Sequence, residues 1–224
     1  MTTENTGHDT RSGRHPASRV DFTLMYAAHD AFRRDLRRLA SAVGAGRAAD
    51  PAVRAGWATF AGQPHIHHTA EDSWLWPALR ERVTRPAEGA VLDAMDAEHA
   101  RIDPMLDGVE GSLAARGGAG LAENAAALTA ALTAHMEHEE DQALPLVEAY
   151  LGPEGWAAFG QAMRKSQGLS GGAEFFPWML DGVPADMSKR VLGMLPPPAR
   201  LLYRAVWRPG YARTLRWGER HAAS

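Results

Sequence analysis

"HMEHEEDQALPLV", residues 135–147, repeats a phrase that occurs earlier, at residues 67–79, as "HHTAEDSWLWPAL". In each copy a histidine is followed four residues later by a glutamate, and the glutamate six residues later by a proline. His67, Glu71 and Pro77 thus match His135, Glu139 and Pro145. On a helix, side chains four apart lie one turn apart on one face. Each phrase therefore presents an imidazole and a carboxylate side by side, twice in the same register.

Around the phrases the chain is periodic. Phe22, Met25, His29, Phe32, Leu36, Leu39 and Val43 step by three and four, the mark of one buried helical face. "GAGRAADP" ends that helix, and Asp50-Pro51 supplies an N-cap and a first-turn proline for the next. The second helix runs from about Pro51 to about Val83, with a kink or break expected at Gly62 and Pro64. After "TRPAEG", the residues Leu92, Met95, His99, Ile102, Leu106, Val109 and Leu113 repeat the pattern, and "RGGAG" closes it. A fourth helix covers about 121–151, with Leu128, Leu132, His135, Glu139 and Leu146 on one side. Four long helices with short links predict an all-α fold, an antiparallel up-down-up-down four-helix bundle. The bundle is expected over residues 19–151. Residues 1–18 read as a disordered polar tail, and residues 152–224 as a short-helical C-terminal extension.

The histidine spacing sharpens the prediction. The midpoints between His29 and His67, His67 and His99, and His99 and His135 fall at positions 48, 83 and 117, each inside a predicted turn. In an antiparallel bundle, residues equidistant from a turn lie at one height, because every helix rises about 1.5 Å per residue. One layer should then hold His29, His67, Glu71, His99, His135 and Glu139.

Six ionisable groups in a core need something to satisfy them. Metal ions would do so: neutral imidazoles donate lone pairs, carboxylates supply charge, and two facing glutamates suit bridging between two ions. Nitrogen and carboxylate donors with open positions favour iron, while zinc and manganese remain compatible by ligand type. No catalytic residue distinct from the ligands stands out, so a reaction would draw on the metal. His68 and Asp72 form a competing pair in a neighbouring register; alignment with His135 and Glu139 favours His67 and Glu71. Asp72, Glu98, His138 and Glu140 adjoin the ligands, either as solvated surface or as partners that fix imidazole tautomers. Tyr26 lies near His29, to pack or to meet a ligand. Trp74 and Trp76 read as core or rim packing.

Composition limits the alternatives. The chain has 224 residues, 45% of them hydrophobic, and a net charge of −3, which gives no general attraction to nucleic acid. Without cysteine there is no disulfide, thiolate site or cysteine nucleophile. No run approaches the roughly 20 apolar residues that span a bilayer, and "MTTENTGHDTRSGRHPAS" lacks a signal-like apolar core. The expected location is the cytoplasm.

The C-terminal third is different in character. "GPEGWAAFGQAMRKSQ" reads as a short helix, "GLSGGAEFFPWML" as a glycine-rich link into an apolar cluster, and "PADMSKRVLGML" as another helix. A last helix, in "PPPARLLYRAVWRPGYARTLRW", is expected to break near Pro209-Gly210. From Lys189 onward there are eight basic residues and one acid, Glu219. Arg200, Arg204 and Arg208 form one stripe, and Tyr203, Trp207 and Tyr211 another. The segment would pack on the acidic bundle, dock an anionic protein, or attach to a membrane surface over residues 189–220. No nucleic-acid recognition motif is present.

"AAHDAFRRDL", "HHTAEDSWLWPAL", "AEHARI" and "HMEHEEDQALPLV" together resemble the hemerythrin family in its bacterial HHE cation-binding branch, over roughly residues 20–150. The resemblance implies a four-helix bundle around a non-haem di-iron centre, oxo- or hydroxo-bridged. His29, His67, His99 and His135 would be terminal imidazoles, and Glu71 and Glu139 bridging carboxylates. Oxygen-carrying members have a further histidine where this chain has Asp103. The site is thus similar to the H-HxxxE-H-HxxxE subgroup, and Asp103 would be a further ligand or a neighbour of one. Two functions follow from the resemblance. One is a di-iron protein that binds or reacts with dioxygen, peroxide or nitric oxide, in an oxidative-stress role. The other is an iron or diatomic-gas sensor that signals through its C-terminal segment without turnover.

Overall fold

The computed structural model describes residues 18–115 and 119–218. The described chain is helical, and four long segments supply the interior. Helix α1 is Thr23–Gly44. Helix α2 covers 51–80: Pro51–Ala70, a wide π turn at Glu71–Leu75, then Trp76–Arg80. Helix α3 is Pro86–Ala114. Helix α4 covers 121–151 and contains π turns at Glu139–Ala143 and Val147–Leu151. The predicted cap at the start of α2 is formed: the Asp50 carboxylate accepts from the Ala52 N–H at 2.9 Å, and Pro51 follows it.

The periodic stripes face inward. Phe22, Met25, His29, Phe32, Leu36 and Leu39 of α1 are buried, as are all seven stripe residues of α3. Buried apolar side chains fall into two clusters. One contains Phe32, Leu36, Val53, Trp57, Phe60, Ile102, Leu128 and Leu132. The other contains Tyr26, Ala70, Leu75, Leu79, Met95, Ala143 and Val147. On every one of the four helices the histidine of the predicted layer lies between residues of the first cluster and residues of the second, so the polar layer separates two apolar ones.

The break expected at Gly62 and Pro64 is absent; Pro64 is accommodated inside Pro51–Ala70. The irregularity comes later, in the π turn that begins at Glu71. Its counterpart begins at Glu139, and both end two residues ahead of the proline. A helical proline has no N–H to give and its ring collides with the carbonyl four residues back. A turn closed at i→i+5 relieves that collision. The repeated proline thus explains why both wide turns start on a glutamate. The extra residue in the turn also moves the helix face. Leu146, expected inside, is only half-buried, and Ala143, Leu144 and Val147 fill the core instead.

Helix α5, Gly152–Met179, is interrupted at Gly168, whose φ of 61° suits glycine. The expected glycine-rich link after that break is helical instead, and it delivers Trp178 into the first cluster. The Trp178 Nε1–H donates to Asp35 at 2.8 Å. Asp35 also accepts from Arg34 Nε at 2.8 Å and Arg38 Nη1 at 3.1 Å, and Arg38 reaches Asp181 at 2.8 Å. Helix α6 is Ala185–Met194. Helix α7 covers 197–212 and continues through Pro209-Gly210, where a break was expected; a π turn at Tyr203–Trp207 takes up the proline. The chain then returns to α2. The Trp217 N–H donates to the Ala52 carbonyl at 2.7 Å, and its indole fills the notch at Gly56, where a methyl group would overlap the ring. Trp217 sits at φ 59°, a left-handed conformation that a tryptophan holds only when its surroundings fix it.

Of the tail expected over residues 1–18, only Ser18 is among the described residues. Its hydroxyl donates to Glu148 at 3.0 Å. Among the described residues no helix is long and apolar enough to cross a membrane.

Candidate metal centre

The six residues of the predicted layer are all buried and converge between the two apolar clusters. His29 Nε2 lies 3.2 Å from His67 Nε2 and 3.1 Å from Glu139 Oε2. His99 Nε2 lies 3.1 Å from His135 Nε2. Glu71 spans both pairs, with one oxygen 3.1 Å from His67 Nε2 and the other 3.7 Å from His99 Nε2.

The outer nitrogens are held by acids. His29 Nδ1 is 2.8 Å from Glu140, His99 Nδ1 is 2.7 Å from Asp72, and His135 Nδ1 is 2.8 Å from Glu98. A carboxylate only accepts, so these Nδ1 atoms carry the proton and the Nε2 atoms point inward. Neutral His99 and His135 rings would then face each other with two lone pairs at 3.1 Å. Glu98 shares its other oxygen with His138 Nδ1 at 2.9 Å. Glu140 also takes Arg33 Nη2 at 2.8 Å.

His68, read from sequence as a neighbour in a competing register, stands inside the layer. Its ring stacks on His99 at 4.1 Å and meets His135 edge-on at 5.1 Å. Two groups of donor atoms result, His29–His67–Glu139 and His68–His99–His135, each with its atoms within 4.8 Å of one another. The reason is geometric. Consecutive helical residues diverge by about 100°, and a helix with two neighbours can bury both. His67 turns to His29 on α1 and His68 to His99 on α3. In α4 the position matching His68 is Met136, also buried, so the repeat is not symmetric.

The remaining candidates fall outside the donor groups. Asp103 lies 3.7 Å from His65 at a half-exposed position. Tyr26 is buried against Phe22, with ring centroids 6.4 Å apart. Of the two tryptophans expected in core or rim packing, Trp76 is buried, and Trp74, 53% exposed, lines a surface cleft with Leu75, Ala78 and Phe159.

The buried donors shift one another's protonation. Burial would lower the His29 pKa, but Glu139 and Glu140 outweigh it and raise it to about 9. Burial and the charge on His29 push His67 down to about 3. Burial, then His99, holds His68 well below its ordinary value, and burial lowers His135. The two glutamates diverge: burial and the neighbouring Glu139 raise Glu71 well above the carboxylate range, while His29 overcomes burial and holds Glu139 at about 2.

The donor set fits metal ions. Both oxygens of Glu71, both oxygens of Glu139 and both ring nitrogens of His68 are buried without a hydrogen bond of good geometry, although His67 and His29 approach Glu71 and Glu139 at 3.1 Å. Six such atoms in one layer are costly in an apolar interior unless something binds them. Five imidazoles and two carboxylates are the donors that iron, manganese and zinc accept.

Comparison with curated proteins finds no match, and comparison with solved structures finds none either. The family model described as "Hemerythrin HHE cation binding domain" matches residues 20–147, more than half of the chain and all of the donor layer. The chain belongs to the hemerythrin HHE cation-binding domain family.

Proposed function

We propose that this cation-binding domain holds two iron ions and that the loaded protein binds or reduces dioxygen, peroxide or nitric oxide. The observation that carries the reading is the pair of facing Nε2 atoms on His99 and His135, with the unpartnered His68 ring against them. We assign His29, His67 and Glu139 to one ion and His68, His99 and His135 to the other, with Glu71 between them. Contacts that pair residues evenly about each connection, among them His68 with His99, His99 with His135 and Tyr150 with Glu88, support an antiparallel, up-down-up-down arrangement.

Bound iron would supply Lewis acidity and one-electron chemistry toward a small ligand. The protein's part is positional. Asp72, Glu98 and Glu140 orient the rings and make them better donors. Phe32, 5.4 Å from His67 and 6.3 Å from His29, covers the layer on one side and keeps water from it. The test is to load the chain anaerobically with ferrous iron, count the ions bound, and then mix it with hydrogen peroxide or nitric oxide. Rapid consumption with turnover supports the reading; iron binding with neither reaction nor ligand binding contradicts it.

A sensor is the second reading, and one contact favours it. Phe32 touches both His67, at 5.4 Å, and Trp178 of the extension, at 5.3 Å. A ligand that shifts His67 would then disturb the packing of residues 175–180. Hydrogen exchange in the extension that changes on ligand addition, without turnover, would select this reading over the first.

A further inference from the structure

Helix α7 has two apolar stripes, and the bundle uses only one. Tyr203 is buried, and Trp207 and Tyr211 pack against the first core cluster. The aromatic stripe noted in the sequence is thus consumed by the fold. What remains outward is aliphatic: Leu201, Leu202, Ala205, Val206 and Pro209 are all exposed, Leu201 by 67% and Val206 by 56%. They are spaced at steps of one, three and four, so they form a continuous ribbon along the helix. Arg204 and Arg208 are exposed beside it. From Met187 to Gly218 the chain holds seven lysine and arginine residues and no acid.

We propose that this outer face of α7 docks on an anionic lipid surface. The helix runs along the outside of the molecule with Leu201, Leu202 and Val206 exposed, and Val206 also edges a cleft that it shares with Gln63, Ile66 and Glu174. Its aliphatic side chains are short and carry no hydrogen-bonding tips, as insertion at the headgroup–acyl boundary requires. The guanidinium groups beside them would pair with lipid phosphates; residues 187–218 carry no acid, and Glu174 of α5 is an acid that lines the same cleft as Val206. No aromatic side chain of the helix is left outward to stack on bases, which disfavours a nucleic acid as the occupant. The proposal concerns an outer surface that contains none of the proposed metal donors and stands whether or not the chain handles peroxide.

The experiment is co-sedimentation of the full chain, metal-loaded, with two kinds of vesicle: pure phosphatidylcholine, and phosphatidylcholine mixed with phosphatidylglycerol. Binding to the mixed vesicles is expected, weakening as salt rises. The double variant Leu201→Ser/Val206→Ser should bind about tenfold more weakly, and Arg204→Gln/Arg208→Gln should lose the preference for the anionic lipid. These side chains are exposed, so melting temperature and metal content should stay as in the parent chain, and both are measured alongside. Failure to sediment with mixed vesicles at low salt overturns the proposal. So does equal binding to both vesicle types, or binding that neither variant weakens. A dimer in solution that dissociates in Leu201→Ser/Val206→Ser would assign the ribbon to a second copy of the chain instead.

Discussion

The six atoms of Glu71, Glu139 and His68 that lack a well-formed hydrogen bond are where residue-level physics is most demanding. In the metal-free chain His29 stays protonated up to about pH 9, because Glu139 and Glu140 outweigh its burial. That proton occupies a donor a metal ion would need. Loading must displace it, so apparent metal affinity should fall as pH drops below that value and rise toward it. Competition against a coloured chelator at pH 6 and pH 8 checks this; equal affinity at both contradicts it. The acids behind the rings matter as well. Glu140→Ala frees His29 Nδ1 and Arg33 together, and should weaken metal binding by about 10–100-fold while leaving the chain folded. Four of the five imidazoles in the layer were legible from sequence, because each interrupts an apolar stripe at a matching distance from a turn. His68 was not. Periodicity assigns one line of core positions to each helix, whereas a bundle helix with two neighbours buries a wider face.

At the scale of the element, the two π turns set the glutamates in place. Helix spans were readable from stripes and caps: Asp50-Pro51 starts a helix where the sequence places it, whereas α3 begins at Pro86, inside the "TRPAEG" stretch read as a turn. The turns were not readable, since a proline announces a lost donor without saying how the helix responds. At Pro64 the helix absorbs it; at Pro77, Pro145 and Pro209 a wide turn does. If the proline holds the turn open, Pro77→Ala or Pro145→Ala should let it close to an ordinary α turn. Glu71 or Glu139 would then rotate away from its partners. Metal affinity should fall while the melting temperature holds or rises, because a helix-interior proline costs about 3 kcal/mol. Unchanged affinity in both variants would show that the turns owe nothing to the prolines.

Across the whole molecule, the extension is bound to the bundle through contacts far apart in sequence, which is why composition alone left its role open. Trp178 reaches Asp35, Arg38 reaches Asp181, and Trp217 fills the notch at Gly56. Gly56→Ala should expel the Trp217 ring at a cost of about 1–3 kcal/mol. Limited proteolysis should then cut the chain after Ala212 faster than in the parent, with metal content unchanged; equal protection would mean the notch does not hold the tail. The account rests above all on the donor layer acting as one centre for two ions. The most direct measurement is metal per chain, on protein made in iron-sufficient cells and purified without chelator or nickel, for the parent and for His68→Ala. The account predicts about two irons per chain in the parent and loss of one of them, or of both, in the variant. A parent chain with no iron, or with a single zinc, would contradict it.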